Sequence, residues 1–295
     1  MPERRGGAAF TALRRAIEGG ASLPKTLVIV AHPDDETIGA STLLGRCERL
    51  RVVHVTDGSP RDLRDARNAG CADRGSYAAL RHEEAIAALA LCGVPADAME
   101  CWQITDQEAA LHLPKIVAAI EKALQDFAPR WVLTHAYEGG HPDHDAVAFA
   151  THLACEAAGR RGAAPTLIEM AGYHAGPEGM VSGVFLPAEC EGEIDVELDE
   201  ALRARKAAMF AAFASQRGVL AAFGIGRERF RVAPSYDFRE APHAGRLFYE
   251  NFPWGMSASF WKELSRSVLA SRVDASACAV PIPSRVPLTS GAPQE

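Results

Sequence analysis

An unbroken apolar run, Thr26-Leu27-Val28-Ile29-Val30, ends on Ala31-His32-Pro33-Asp34-Asp35-Glu36. The run is short and lacks polar alternation, so it reads as a strand covered on both faces, as in parallel sheets. A helix is expected over 36–50. One His and three carboxylates therefore sit on a strand-to-helix turn. In an open α/β sheet such a turn lies at the carboxyl end of a strand, where these folds place their sites.

The same grammar repeats along the chain. Val52-Val53-His54-Val55-Thr56 reads as a second buried strand, closed by the turn signal Asp57-Gly58. His54 lies inside that run and reads as a satisfied core residue. Residues 57–74 form a polar loop, longer than an ordinary βα connection. Helices are expected over 76–91, 114–126 and 146–159, and strands over 98–103 and 131–134. The second of those strands leads through Tyr137-Glu138-Gly139-Gly140 to His141-Pro142-Asp143-His144-Asp145. The alternation to about residue 160 predicts a Rossmann-like α/β fold, a mostly parallel sheet flanked by helices.

The remainder reads as a smaller, irregular C-terminal portion. Strands are expected over 166–170, 184–186 and 193–196, and helices over 199–213 and 257–271. The expected organisation is an N-terminal extension over 1–24 holding one short helix, 9–18, and a single domain over 25–272. The catalytic α/β core of that domain ends near 170, and the rest shapes the substrate pocket. Residues 273–295 turn to Pro, Ser and Ala and are expected to form a disordered tail.

Composition excludes several classes of function. A chain of 295 residues, 48% hydrophobic and 23% charged, can bury a sizeable core. The net charge is -7, with no Lys/Arg stripe interleaved with aromatics, which argues against nucleic acid as a partner. Asp62 and Asp65 offset the small cluster of Arg61, Arg64 and Arg67. Seven scattered cysteines without a CxxC pair point to reduced thiols and a cytoplasmic protein. No run approaches the ~20 apolar residues of a membrane span. A homo-oligomer stays open.

The two clusters carry the chemistry. His32 and Asp35 offer a nitrogen and an oxygen three residues apart, and His144 or His141 can supply a third ligand from the second turn. Two imidazoles and a carboxylate suit Zn2+ with one position left for water, and Fe2+ or another divalent ion is an alternative. Asp34 adjoins a ligand without needing to be one, as befits a general base for metal-activated water. His141, with Asp143 nearby, is a candidate for oxyanion stabilisation or leaving-group protonation. Each motif alone has a structural alternative: the first as an Asp-rich helix N-cap, the second as a surface turn.

Ala31-His32-Pro33-Asp34-Asp35-Glu36, Thr56-Asp57-Gly58 and His141-Pro142-Asp143-His144 together resemble the LmbE-like/PIG-L family of zinc-dependent N-acetylglucosaminyl deacetylases. Arg81-His82-Glu83-Glu84 resembles that family's Arg-x-x-Glu helix, and Lys206 to Ser215-Gln216 its later Lys…Ser-Gln element. The resemblance spans roughly 25–220. It implies His32, Asp35 and His144 as metal ligands and Asp34 as general base. His141 would assist at the tetrahedral intermediate, tuned by Asp143, and Arg81 and Asp106 would bind sugar hydroxyls. Some members carry a Tyr where this chain has Gly139, and Tyr137 is a candidate substitute.

The expected activity is removal of acetate from a small N-acetylated amino-sugar conjugate. The rivals are a metal-dependent hydrolase of another amide or of a phosphoester, and a non-catalytic zinc-containing sugar-binding module.

Overall fold

The computed structural model describes residues 5–277, with side chains over 7–272. In chain order its elements are α1 (Arg5–Glu18), β1 (Thr26–Val30), α2 (Asp35–Ala40), β2 (Leu50–Thr56), α3 (Arg64–Asn68), α4 (Arg74–Ala90) and β3 (Met99–Ile104). Then come α5 (Leu113–Phe127), β4 (Trp131–His135), α6 (Pro142–Arg160), β5 (Thr166–Met170), β6 (Tyr173–Gly176) and β7 (Gly179–Ser182). The chain continues through β8 (Ile194–Glu197), α7 (Glu200–Ala212), α8 (Arg217–Leu220), β9 (Arg227–Val232) and α9 (Ala258–Ala277).

Seven strands form one sheet in the order β3-β2-β1-β4-β5-β9-β8. The first five are parallel, with Val30 opposite His54 and Val28 opposite Leu133. β9 and β8 extend the sheet antiparallel. β1 lies between β2 and β4, so the chain leaves it first toward one edge and later toward the other. The strand order reverses at this point, and a crevice opens beyond the strand ends. Both sequence clusters follow the two strands that flank it.

The unbroken apolar run of β1 is explained by two cores, one on each face of the sheet. Leu27 and Ile29 pack with Val53, Val55, Phe149 and Trp261 on the α5/α6/α9 side. Val28 and Val30 pack with Leu13, Val52, Leu89, Met209 and Phe213 on the other. Burying each such side chain contributes about 1.5–3 kcal/mol.

Five expectations need correction. The helix expected over 9–18 starts earlier, at Arg5, and its Leu13 and Ile17, four residues apart, insert into the second core. The helix expected over 36–50 stops at Ala40, where the Ser41 and Thr42 hydroxyls turn to bond Glu228 and the chain bends toward β2. The 57–74 loop holds a short helix, α3. Residues 184–186 form no strand; just before them β6 and β7 pair with each other as a separate hairpin, turned at Gly179 with φ +130°. α9 runs past 273 to Ala277, and the rest of the expected tail, 278–295, lies outside the described residues.

Candidate metal centre

The turn after β1 and the start of α6 meet in the crevice. His32 Nδ1 lies 3.3 Å from Asp35 Oδ2 and 3.3 Å from His144 Nε2, and His144 Nε2 lies 3.1 Å from Asp35 Oδ1. Ligands at ~2.0–2.1 Å from a tetrahedral ion stand about 3.3–3.4 Å apart. His32 Nδ1 and His144 Nε2 thus stand at ligand spacing, each beside a different Asp35 oxygen, in a buried grouping that could hold a divalent ion.

The far side of His32 is held as a metal-ligating imidazole usually is. Its Nε2 lies 3.2 Å from Asp143 Oδ2 and 3.0 Å from Asp106 Oδ1. Burial opposes the charged form of His32, yet Asp106 and Asp35 carry its pKa well above the ordinary value. Burial likewise works against the Asp35 carboxylate, but His144, His135 and His32 hold its pKa well below the usual range.

Asp34 occupies the N-cap position of α2, but its side chain makes no capping hydrogen bond. It is held at φ +154°, ψ −22°, a strained conformation for a residue with a side chain. Its Oδ2 instead accepts from Arg81 Nη2 at 2.9 Å. The guanidinium also donates to Pro33 O (2.7 Å) and Gly58 O (3.2 Å). Burial pushes the Asp34 pKa up to about 7 although Arg81 works against it. The helix-cap alternative for the first motif therefore has no support in the geometry.

Asp106 reaches the site on a loop fastened by two carboxylates. Asp57 Oδ1 accepts the Asp106 N–H, and Asp143 accepts the N–H groups of Gln107 (2.6 Å) and Ala109 (2.9 Å). Asp143 is thus engaged with His32 and this loop. Its carboxylate stands 3.9 Å from His141 Nδ1, which accepts instead from the Asp143 backbone N–H at 3.1 Å. His141 is the N-cap of α6, and its pKa is depressed by burial and by His32 and His144.

Gly139 explains the departure from the Tyr pattern. It adopts φ +71°, and a Cβ there would come within 2.8 Å of Leu247. The space beside the loop belongs to the 247–254 segment, tied down where Phe248 N–H donates to Gly139 O at 2.9 Å. That segment places Trp254 4.6 Å from the His141 ring. Tyr137 cannot substitute, since its hydroxyl is bonded to Glu240 O and the Trp261 indole in the core.

Beside Trp254, two further residues at the site escaped sequence reasoning. His135, the last residue of β4, stacks on His144 at 4.0 Å, and its Nε2 accepts the Ala31 N–H at 2.9 Å. The same nitrogen lies 3.4 Å from Asp35 Oδ2, so His135 backs both Asp35 and His144. Burial and His144 depress its pKa to about 4. A His ending a strand next to the switch point was a usable signal. Tyr173, brought by the β6–β7 hairpin, packs edge-on against His144. Of the later Lys…Ser-Gln element, Lys206 forms a buried ion pair with Glu228, while Gln216 bonds Tyr77 OH and lines the cleft.

All eight predicted site residues therefore converge, but Arg81 turns its guanidinium to Asp34 and backbone carbonyls. The cleft, about 160 Å³, is lined by His32, Asp34, Asp35, Arg81, Asp106, His141, His144, Tyr173 and Trp254.

This fold and this cleft define a Rossmann-like α/β protein with a buried His–Asp cluster at its switch point that could hold a divalent metal. Residues 27–155 match the family described as PIG-L, GlcNAc-PI de-N-acetylase. A 1D-myo-inositol 2-acetamido-2-deoxy-alpha-D-glucopyranoside deacetylase 1 from Saccharopolyspora erythraea is 30% identical over 202 residues, 57% of this chain. The match spans 64% of that relative, just under two thirds of its length. The A40926 pseudoaglycone deacetylase Dbv21 has the same fold, with TM-score 0.54 and 24% identity over 72% of this chain and 99% of that one. So does GalB, a 4-carboxy-2-hydroxymuconate hydratase of a Pseudomonas, with TM-score 0.50 and 17% identity over 72% and 98%. The fold alone therefore does not fix the reaction. Among the described residues, no helix is long and apolar enough to cross a membrane.

Proposed function

We propose that the protein is a metal-dependent N-deacetylase that releases acetate from an N-acetylglucosamine-type sugar conjugate. The observation that carries this reading is the convergence of His32, Asp35 and His144 with Asp34 in one cleft. The sugar-deacetylase relative and the family match add to it.

His32, Asp35 and His144 would hold the ion, and we assign Zn2+, with Fe2+ as the rival the donor set also suits. When bound, the ion lowers the pKa of water toward ~7 and polarises the acetyl carbonyl. Asp34 is the base. Arg81 engages its Oδ2, and Oδ1 takes the proton as the water oxygen adds to the acetyl carbon. His141 accepts the Asp143 N–H at Nδ1, so its Nε2 carries hydrogen and can donate to the developing oxyanion. The C–N bond then breaks, Asp34 returns its proton to the leaving nitrogen, and acetate and a free amine remain. Asp143 positions His32, and Asp106 faces the sugar.

The test is acetate and free-amine release from N-acetylglucosaminides by metal-loaded protein. Chelator, Asp34→Ala and His144→Ala are each expected to lower the rate at least ~10²-fold. Wild-type rates in either variant would sink the mechanism, and two ions per chain would favour the phosphoester reading.

A further inference from the structure

A second cleft opens beside the metal centre and is larger, about 380 Å³, within the range of ligand sites. The two clefts adjoin, with Asp106, Gln107 and Trp254 in the wall of both. Its walls are Leu111, Phe252, Trp254 and Phe260. Among the described residues, six large apolar side chains are exposed. Leu111, Phe252 and Phe260 line this one cleft, and Val219 lines the metal cleft. Apolar surface gathered in this way beside a site is the mark of a binding surface rather than of chance exposure.

The chain builds this wall deliberately. Gly139 gives up its side-chain space to the 247–254 segment, which carries Phe252 and Trp254 toward the site. Phe252 stacks on Trp254 at 4.4 Å, and Trp254 reaches His141 at 4.6 Å, so an aromatic path runs from the cleft to the reacting groups. The charges at the rim are matched: Arg61 pairs with Glu108, and Arg64 with Asp62. An uncharged apolar occupant suits that rim better than an anion.

We infer that this cleft receives an apolar alkyl or aryl substituent of the amino-sugar substrate while the sugar itself sits over the metal centre. The inference rests on the deacetylase reading and names its substrate class. The substituent could be carried on the glycosidic oxygen or on the acyl group, and the experiment separates the two.

Metal-loaded protein is assayed for amine release from methyl and octyl N-acetylglucosaminides, and from methyl glucosaminide carrying an N-octanoyl group. The expected result is a kcat/KM at least tenfold higher in one octyl arm than for the methyl N-acetyl compound. Leu111→Ser and Phe260→Ser, at side chains 50% and 36% exposed, are expected to bring that ratio toward one. Binding is read separately by calorimetry with methyl and octyl glucosaminide, the free amines, which cannot turn over. An octyl preference there without turnover of any substrate would keep the cleft assignment for a glycosidic substituent and overturn the deacetylase reading. Turnover with no octyl gain in either arm, or a gain unmoved by both variants, would overturn the cleft assignment.

Discussion

At the scale of single residues, the pair that most constrains the chemistry is Asp34 with Arg81. The sequence put a carboxylate beside a metal ligand and an Arg on a distant helix, and the family resemblance sent that Arg to sugar hydroxyls. Its guanidinium instead holds Asp34 from behind, because α4 passes close enough for Arg81 to reach Pro33 O, Gly58 O and the carboxylate together. Residue spacing cannot show which way a buried Arg will point. The consequence is a prediction about pH. A base must be ionised, so activity falls as pH drops through the Asp34 pKa, about 7 here, raised by burial and restrained by Arg81. Arg81→Met removes the restraint, so the acidic limb of kcat/KM moves to higher pH and kcat falls. Breaking this buried pair also costs ~3–5 kcal/mol of stability, readable in urea. Arg81→Lys, which keeps the charge without the fork, should leave the limb closer to wild type. An Arg81→Met limb at or below the wild-type pH would show that Arg81 does not tune Asp34.

At the scale of elements, the parallel part of the sheet was legible and the C-terminal part was not, for a definite reason. β1, β2, β4 and β5 are apolar on both faces and are each recognisable alone, as are the amphipathic α4 and α5. The β6–β7 hairpin has only four residues per strand and includes Gly176 and Gly179, so it carries no periodic signal. Its place is set by tertiary contact, and Gly140 shows how tightly. A Cβ on Gly140 would stand 2.0 Å from Tyr173 O, a contact with backbone that no rotamer change relieves. In the sequence Gly139-Gly140 reads only as part of a loop; in the fold each glycine makes room for a neighbouring segment. Gly140→Ala is therefore expected to push the hairpin from the cleft and to destabilise by ~1–3 kcal/mol, as overpacking does. Loss of hydrogen-exchange protection over 173–182 would locate the damage. An unchanged urea midpoint and unchanged protection would show that the two segments are not coupled.

At the scale of the whole molecule, the metal centre is a long-range object. Its donors come from residues more than a hundred positions apart, and only the parallel sheet, with β1 beside β4, brings them together. Asp34, Asp35, Asp106 and Asp143 are buried within the same few ångströms, so the native state gathers anionic groups that the unfolded chain keeps apart. A cation held by His32, Asp35 and His144 binds the native arrangement and not its scattered parts. Binding to the native state alone stabilises by RT ln(1 + [L]/Kd), ~2.7 kcal/mol at a hundredfold excess over Kd. For a chain of this size that is a rise in Tm of about 5–10 °C. Adding Zn2+ or Fe2+ to chelator-treated protein should produce this rise, and chelator should reverse it. His144→Ala should respond to neither. An unresponsive wild-type Tm would show that the three donors do not hold an ion, whatever rate the protein displays. A response surviving in His144→Ala would move the ion to another of the buried His–Asp groupings, such as His32, Asp106, His141 and Asp143, whose candidate donor atoms lie within 4.8 Å of one another.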